Sequence, residues 1–168
     1  FGGTMTSMLL MQAPDRFHYG IAGGGVYDWA LYDSHYTERY MDTPQANPEG
    51  YEVSKVLNYV SGYPTEYTKD TTALSSTSLQ GDSVDHVIAR SGATWQSVEP
   101  VMLKLTHGTG DDNVHHQNTL QLLDALHKAG KKFDFMIYPD GLHGYRGYQG
   151  THFEQANHDF WLRYLLER

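Results

Sequence analysis

The second half of the chain changes its hydrophobic period in a fixed order, and that order leaves few folds open. Val101, Leu103 and Leu105 alternate with Met102, Lys104 and Thr106, which predicts a strand over residues 98–106. Thr119, Leu122, Leu123, Leu126 and Ala129 then recur at helical spacing, which predicts a helix over 115–129 closed by Gly130. The apolar run FDFMIY predicts a second strand over 133–138. After a glycine-rich loop over 139–150, Phe153, Ala156, Phe160 and Tyr164 mark one face of a last helix over 152–166. Strand, loop, helix, strand, loop, helix is the repeat of a parallel sheet with helices on its faces, because a parallel pair cannot be joined by a tight turn. The fold class is therefore α/β. In such sheets the chemistry gathers in loops beyond the C-terminal ends of the strands.

The first half is less regular. Residues 4–13 predict a helix ended by Pro14, with Met5, Met8, Leu9 and Gln12 on one face and the methionines packed in the core. Residues 18–25 predict a short buried strand that runs into glycines. Over 27–41, Trp29, Tyr32, Tyr36 and Tyr40 stand three and four residues apart and make one aromatic stripe on a helix. That stripe is either core or the wall of a pocket, since tyrosine carries a polar tip suited to a partly open site. A loop over 42–50 with two prolines and a short helix over 51–57 follow. Residues 59–97 are rich in Ser, Thr, Gly and Tyr, with Val84, Val87 and Ile88 as one turn of helix at most. They read as a surface loop, an insertion, or a segment whose packing partner lies elsewhere.

Composition removes several function classes. The 168 residues are 39% hydrophobic and 13% aromatic, enough for one domain with a core. A formal charge of -8 opposes tracking of a phosphate backbone, so no nucleic-acid partner is expected. Cysteine is absent, which excludes disulfides, a thiolate nucleophile and cysteine metal sites. His115, His116, His143, His152 and His158 match no zinc spacing, and Gly23-Gly24-Gly25 lacks the pattern of a phosphate loop, so neither metal nor cofactor is expected.

Asp111 and His143 each follow one of the two predicted strands of the second half. On adjacent parallel strands their side chains meet at one sheet edge. There a carboxylate fixes the imidazole tautomer and stabilises the imidazolium. In α/β-hydrolases the catalytic order is Ser, Asp, His, with the serine in a Gly-x-Ser-x-Gly turn that feeds a helix. The chain opens on Phe1-Gly2-Gly3 without an initiator Met and runs straight into its first helix, as the tail of such a turn does. Read from the residues alone, an ordinary structural aspartate and a loop histidine stand beside this reading.

The segments FGGTMTSMLL, GIAGGGVYDWALYDSHYTERYMDTPQ, HGTGDDNVHHQNT and YPDGLHGYRGYQG resemble the prolyl oligopeptidase family, its dipeptidyl-peptidase branch in particular. The resemblance implies that residues 1–168 are the C-terminal part of an α/β-hydrolase peptidase domain, an incomplete parallel sheet with flanking helices and an atypical polar segment at 59–97. It implies a serine peptidase that cleaves after a penultimate proline or alanine, without a cofactor. The nucleophilic serine is expected immediately before Phe1, with Asp111 and His143 completing the triad and the Phe1 backbone N–H serving the oxyanion. The implied pocket for the residue before the cleaved bond consists of Phe1, Val26, Trp29, Tyr32, Tyr36 and Val114, and Asn113 is implied to bond a substrate carbonyl. The implied partners are peptides, the upstream strands and β-propeller of the same polypeptide, and a second copy in a homodimer. The parent is expected in the periplasm, secreted or at a membrane, with the cytoplasm left open. The isolated piece is expected to be inactive. The reading from another class is an α/β-hydrolase-like interaction domain without catalysis.

Overall fold

A computed structural model describes residues 1–64 and 101–166. Three strands, β1 (Tyr19–Gly23), β2 (Met102–Gly108) and β3 (Asp134–Tyr138), form one sheet in the order β1-β2-β3. All pairing is parallel, with Tyr19 opposite Met102 and Gly108 opposite Tyr138. β2 and β3 thus end level, and the loops that leave them emerge side by side. Among the described residues five α-helices accompany the sheet: α1 (Gly2–Gln12), α2 (Ser34–Met41), α3 (Pro48–Ser54), α4 (Gln117–Lys128) and α5 (Gly147–Leu165).

β2 is the central strand and is buried along its whole length. The alternation read in the sequence implies one wet face. Instead both faces are covered, and the strand runs on through His107 and Gly108, while residues 98–100 lie outside the described residues. Leu103, Leu105, Leu122 and Leu126 are fully buried between β2 and α4, where truncating one to alanine costs about 2–5 kcal/mol. Lys104 survives in this setting because its Nζ donates to the Ala156 carbonyl at 2.6 Å and lies 6.0 Å from the Phe160 ring centre. It pins α5 to the sheet, and burial pushes its pKa below that of an ordinary lysine.

α4 ends as its sequence predicts. Gly130 takes a left-handed φ of 62°, its N–H bonds the His127 carbonyl, and the Lys131 N–H bonds the Leu126 carbonyl, which closes the last turn. α5 begins at Gly147, earlier than the glycine-rich sequence implies.

Four expectations of the first half are corrected. The core face of α1 is Gly3, Thr4, Ser7, Leu10 and Met11, whereas Met5 is exposed. Small residues win because the helix lies almost on the backbone of the sheet. A Cβ on Gly3 would stand 2.6 Å from the Gly23 carbonyl oxygen and 2.8 Å from the Gly25 Cα, and Thr4 Oγ1 donates to the Val26 carbonyl at 2.8 Å. The aromatic segment is not one helix. Asp28 caps a 3-10 turn at Trp29–Leu31, Tyr32 is extended, and Asp33 caps α2. Residues 42–50 are not loop throughout, because Asn47 caps α3 and Pro48 stands in its first turn, where a missing N–H costs nothing. A 3-10 helix, Val56–Gly62, replaces the end of the helix expected at 51–57.

The polar segment expected at 59–97 also begins differently. Val60 and Tyr63 belong to the core, and Tyr63 Oη accepts from the Leu103 N–H at 2.8 Å and lies 3.0 Å from the Lys132 carbonyl. The rest of that segment, with Val84, Val87 and Ile88, lies outside the described residues. Among the described residues no helix is long and apolar enough to cross a membrane.

Candidate active site

The loops after β2 and β3 are stitched together before either catalytic candidate is reached. The Thr109 N–H donates to the Tyr138 carbonyl at 3.0 Å, the Gly110 N–H to the Gly141 carbonyl at 3.0 Å, and the Asp140 N–H to Thr109 Oγ1 at 2.8 Å. Asp140 adopts a left-handed φ of 56°, which turns the second loop back over the first. Asp111 and His143 are delivered to each other by these bonds. His143 Nδ1 stands 2.9 Å from Asp111 Oδ2. A carboxylate oxygen accepts, so Nδ1 carries the proton and Nε2 is left to accept or give one.

The two members differ in exposure. The Asp111 side chain is 1% exposed and that of His143 is 49% exposed. Asp111 is held by more than His143. Its Oδ1 accepts from the Asn113 N–H at 3.0 Å and the Val114 N–H at 2.9 Å, which winds 111–114 into a tight turn. Gly24, at a φ of 51°, packs behind both groups, with its Cβ position 3.1 Å from the His143 ring and 3.3 Å from Asp111 Oδ2.

The aromatic residues of the implied pocket pack against one another. The Phe1 ring lies 5.6 Å from Trp29 and 6.4 Å from Tyr36. Trp29 lies 5.8 Å from Tyr32 and 6.4 Å from Tyr36, and Tyr32 lies 5.7 Å from Tyr36. The stripe therefore forms across a capped turn and a helix start rather than along one helix. Its members are exposed or half-buried and none belongs to the core cluster. Tyr32 Oη donates to Asn113 Oδ1 at 3.0 Å and so joins the stripe to the turn that carries Asp111. Burial, and then the charge of Asp33, hold the Tyr32 phenol proton on above its ordinary pKa. Val26 and Val114 are buried, in the loop after β1 and in the Asp111 turn. An open concavity of about 560 Å³ borders Tyr32 and Asn113, lined also by Leu31, Asp33, Asp112 and His115.

Two residues that the sequence reading passed over organise this site. Asn118 is fully buried at the start of α4, and its Oδ1 accepts from the Tyr27 and Asp28 N–H groups at 3.0 and 3.2 Å, which fixes the entry to the aromatic stripe. Asp28 is further held by Lys55 Nζ at 2.8 Å. His107, fully buried on β2, has its Nε2 3.3 Å from Asp111 Oδ2. The signal for it is the spacing of His107 and Asp111 across a strand end, which becomes readable only once Asp111 is suspected.

The whole chain, residues 1–168, matches the sequence model of the prolyl oligopeptidase family. The Neurospora crassa protein named "Probable dipeptidyl-aminopeptidase B" is 41% identical over 146 residues, which is 86% of this chain and 12% of that relative. The Coccidioides posadasii protein of the same name is 41% identical over 145 residues, 85% of this chain and 12% of that relative. Among solved structures, Porphyromonas gingivalis dipeptidyl peptidase 4 superposes with a TM-score of 0.73 at 31% identity, covering 97% of this chain and 18% of that one. The chain thus spans only a small part of the proteins it matches. Its parallel sheet and flanking helices are α/β-hydrolase architecture. On its sequence and on its fold, the chain belongs to the prolyl oligopeptidase family.

Proposed function

We propose that this chain carries the aspartate and histidine of a Ser-Asp-His dipeptidyl peptidase, whose serine directly precedes Phe1 in the full-length protein. The observation that carries the reading is the 2.9 Å contact between Asp111 Oδ2 and His143 Nδ1, with the carboxylate buried and the imidazole half-exposed. In this scheme the serine Oγ attacks the carbonyl carbon that follows proline or alanine. Its proton passes to His143 Nε2 and from there to the leaving amine, so that the peptide C–N bond breaks as an acyl-enzyme forms. Water then repeats the step in reverse. Asp111 orients His143 and offsets the charge of the imidazolium. The Phe1 backbone N–H, at the N-terminal end of α1, serves the oxyanion.

The pocket chemistry supports a proline ring before the cleaved bond. A small, rigid, apolar ring suits a cage of Phe1, Trp29, Tyr32 and Tyr36 closed by Val26 and Val114. The Tyr32 hydroxyl donates to Asn113 Oδ1, and in this reading the Asn113 amide nitrogen is the donor for a substrate carbonyl. Upstream strands and a β-propeller of the same polypeptide complete the site in this reading, and the full-length protein forms a homodimer.

The test is release of the chromophore from Gly-Pro-p-nitroanilide. The full-length protein is expected to turn over, and residues 1–168 alone are not. Turnover by the isolated chain that survives a serine-directed covalent inhibitor overturns the assignment of the nucleophile. A folded full-length protein that binds proline peptides without cleaving them supports the interaction-domain reading instead.

A further inference from the structure

His107 is a buried imidazole with three polar neighbours and no place in the scheme above. Its Nε2 is 2.8 Å from the Val114 carbonyl oxygen, and its Nδ1 is 2.6 Å from Thr119 Oγ1. A carbonyl only accepts, so Nε2 carries the proton and Nδ1 accepts from the Thr119 hydroxyl. The same Nε2–H lies 3.3 Å from Asp111 Oδ2, the oxygen that faces His143.

We infer that His107 is a positioning residue that locks the Asp111 turn in place, because it joins the catalytic carboxylate, the Val114 carbonyl and the first turn of α4 through one neutral imidazole. The inference rests on the triad reading of Asp111 and His143. Val114 is thereby held at both ends of its own residue: its N–H goes to Asp111 Oδ1 at 2.9 Å and its C=O to His107 Nε2. Asp111 cannot rotate away from His143 without breaking bonds to the turn that His107 anchors. Neutrality matters as well. A cationic His107 would compete with His143 for the charge of Asp111. The groups that face it are Asp111, His116, whose ring centre is 5.1 Å away, and His143. Burial, opposed by the Val114 bond and by Asp111, pushes its pKa below that of an ordinary histidine.

The experiment uses the full-length protein and Gly-Pro-p-nitroanilide, with two substitutions. His107→Asn keeps a polar atom near Thr119 and loses the donor toward Val114 and Asp111. His107→Gln returns an N–H to the Nε2 position. For His107→Asn we expect a fall in kcat of about 100-fold with KM changed far less, as a small misplacement of a catalytic group produces. The acidic limb of the kcat profile is expected to move to lower pH, because His143 loses the aligned charge that favours its imidazolium. His107→Gln is expected to return kcat to within about tenfold of the parent and to restore the limb. A folded His107→Asn protein with unchanged kcat and an unmoved limb overturns the inference. If His107→Asn does not fold, His107→Gln decides alone, and a folded glutamine variant with a displaced limb overturns it. Asp111→Asn in the same series separates the two readings. If that variant keeps full activity the triad reading itself has failed, whereas an impaired Asp111→Asn beside an unimpaired His107→Asn leaves the triad standing and removes only the role of His107.

Discussion

The loop after β2 and the loop after β3 hold one catalytic candidate each, and they are built on opposite principles. In the first, Asp111 is almost completely enclosed and has a partner on each oxygen, and its turn is braced by His107 and by the start of α4. In the second, His143 sits in a glycine-flanked loop with half of its side chain in solvent. An orienting carboxylate must not move, because its value lies in a fixed direction and a dry setting. A proton carrier must reach a nucleophile on one side and a leaving group on the other, and for that it needs access. Enclosure is thus concentrated on Asp111 and access on His143, the division that the proposed roles require.

Three tests break or sharpen this contrast. The largest effect is expected at the pair itself. In the full-length protein, His143→Ala should remove nearly all turnover. Asp111→Asn should lower kcat by about 10⁴-fold while the fold persists, since the amide presents the wrong partner to Nδ1. Steady-state kinetics beside a melting curve checks this, and an Asp111→Asn protein that turns over normally contradicts the enclosed-orienter picture. A smaller effect is expected for Gly24→Ala. The new methyl carbon would sit 3.1 Å from the His143 ring and 3.3 Å from Asp111 Oδ2 on a left-handed residue. That conformation costs about 1–2 kcal/mol outside glycine. If the contrast holds, the open histidine yields and the braced aspartate does not. The expected result is a fall in kcat of about tenfold or more, with a crystal structure showing the ring displaced and the 111–114 turn unmoved. A displaced Asp111 turn is the contrary result.

The smallest effect concerns stability and pH. Burial lowers the pKa of His107 and of His116 in the folded state. Below the unfolded-state value, about 6.5, the unfolded chain takes up protons that the folded one refuses. Stability therefore falls as pH drops from there toward the folded-state values, and it is regained above the unfolded value. Melting temperatures of the full-length protein at pH 7.5 and 5.5 should differ in that direction, and His107→Gln should shrink the difference. Equal slopes in the two proteins count against a buried neutral His107.

Much of this arrangement is written locally and was legible. The strands, α4 and its Gly130 cap follow from period and cap chemistry, and the pairing of Asp111 with His143 follows from two level parallel strands. What escaped depends on partners that a linear pattern does not display. Met5 and Met8 outweigh Gly3 and Ser7 on any hydrophobic count, yet smallness decides where a helix meets a backbone. Asp28, Asp33 and Asn47 are ordinary N-caps. They were overlooked because the aromatic spacing and the prolines were the louder signals. His107 carries no motif of its own, and only its burial beside a carboxylate gives it meaning.

Val114 contributes its N–H to the Asp111 turn and its C=O to His107, its side chain is buried, and in the proposed reading that side chain closes the pocket. One residue is thus shared by the machinery that would set the rate and the surface that would choose the substrate. Such sharing restricts what can be altered in the laboratory or by descent. A change at 113–114 made to admit a larger residue also disturbs the orientation of the acid. Trp29 and Tyr36 belong to the same proposed pocket from a separately capped turn and helix and have no bond to Asp111. If the proposed function holds, specificity would drift on that side at little cost to turnover, and libraries that seek new substrates would belong there.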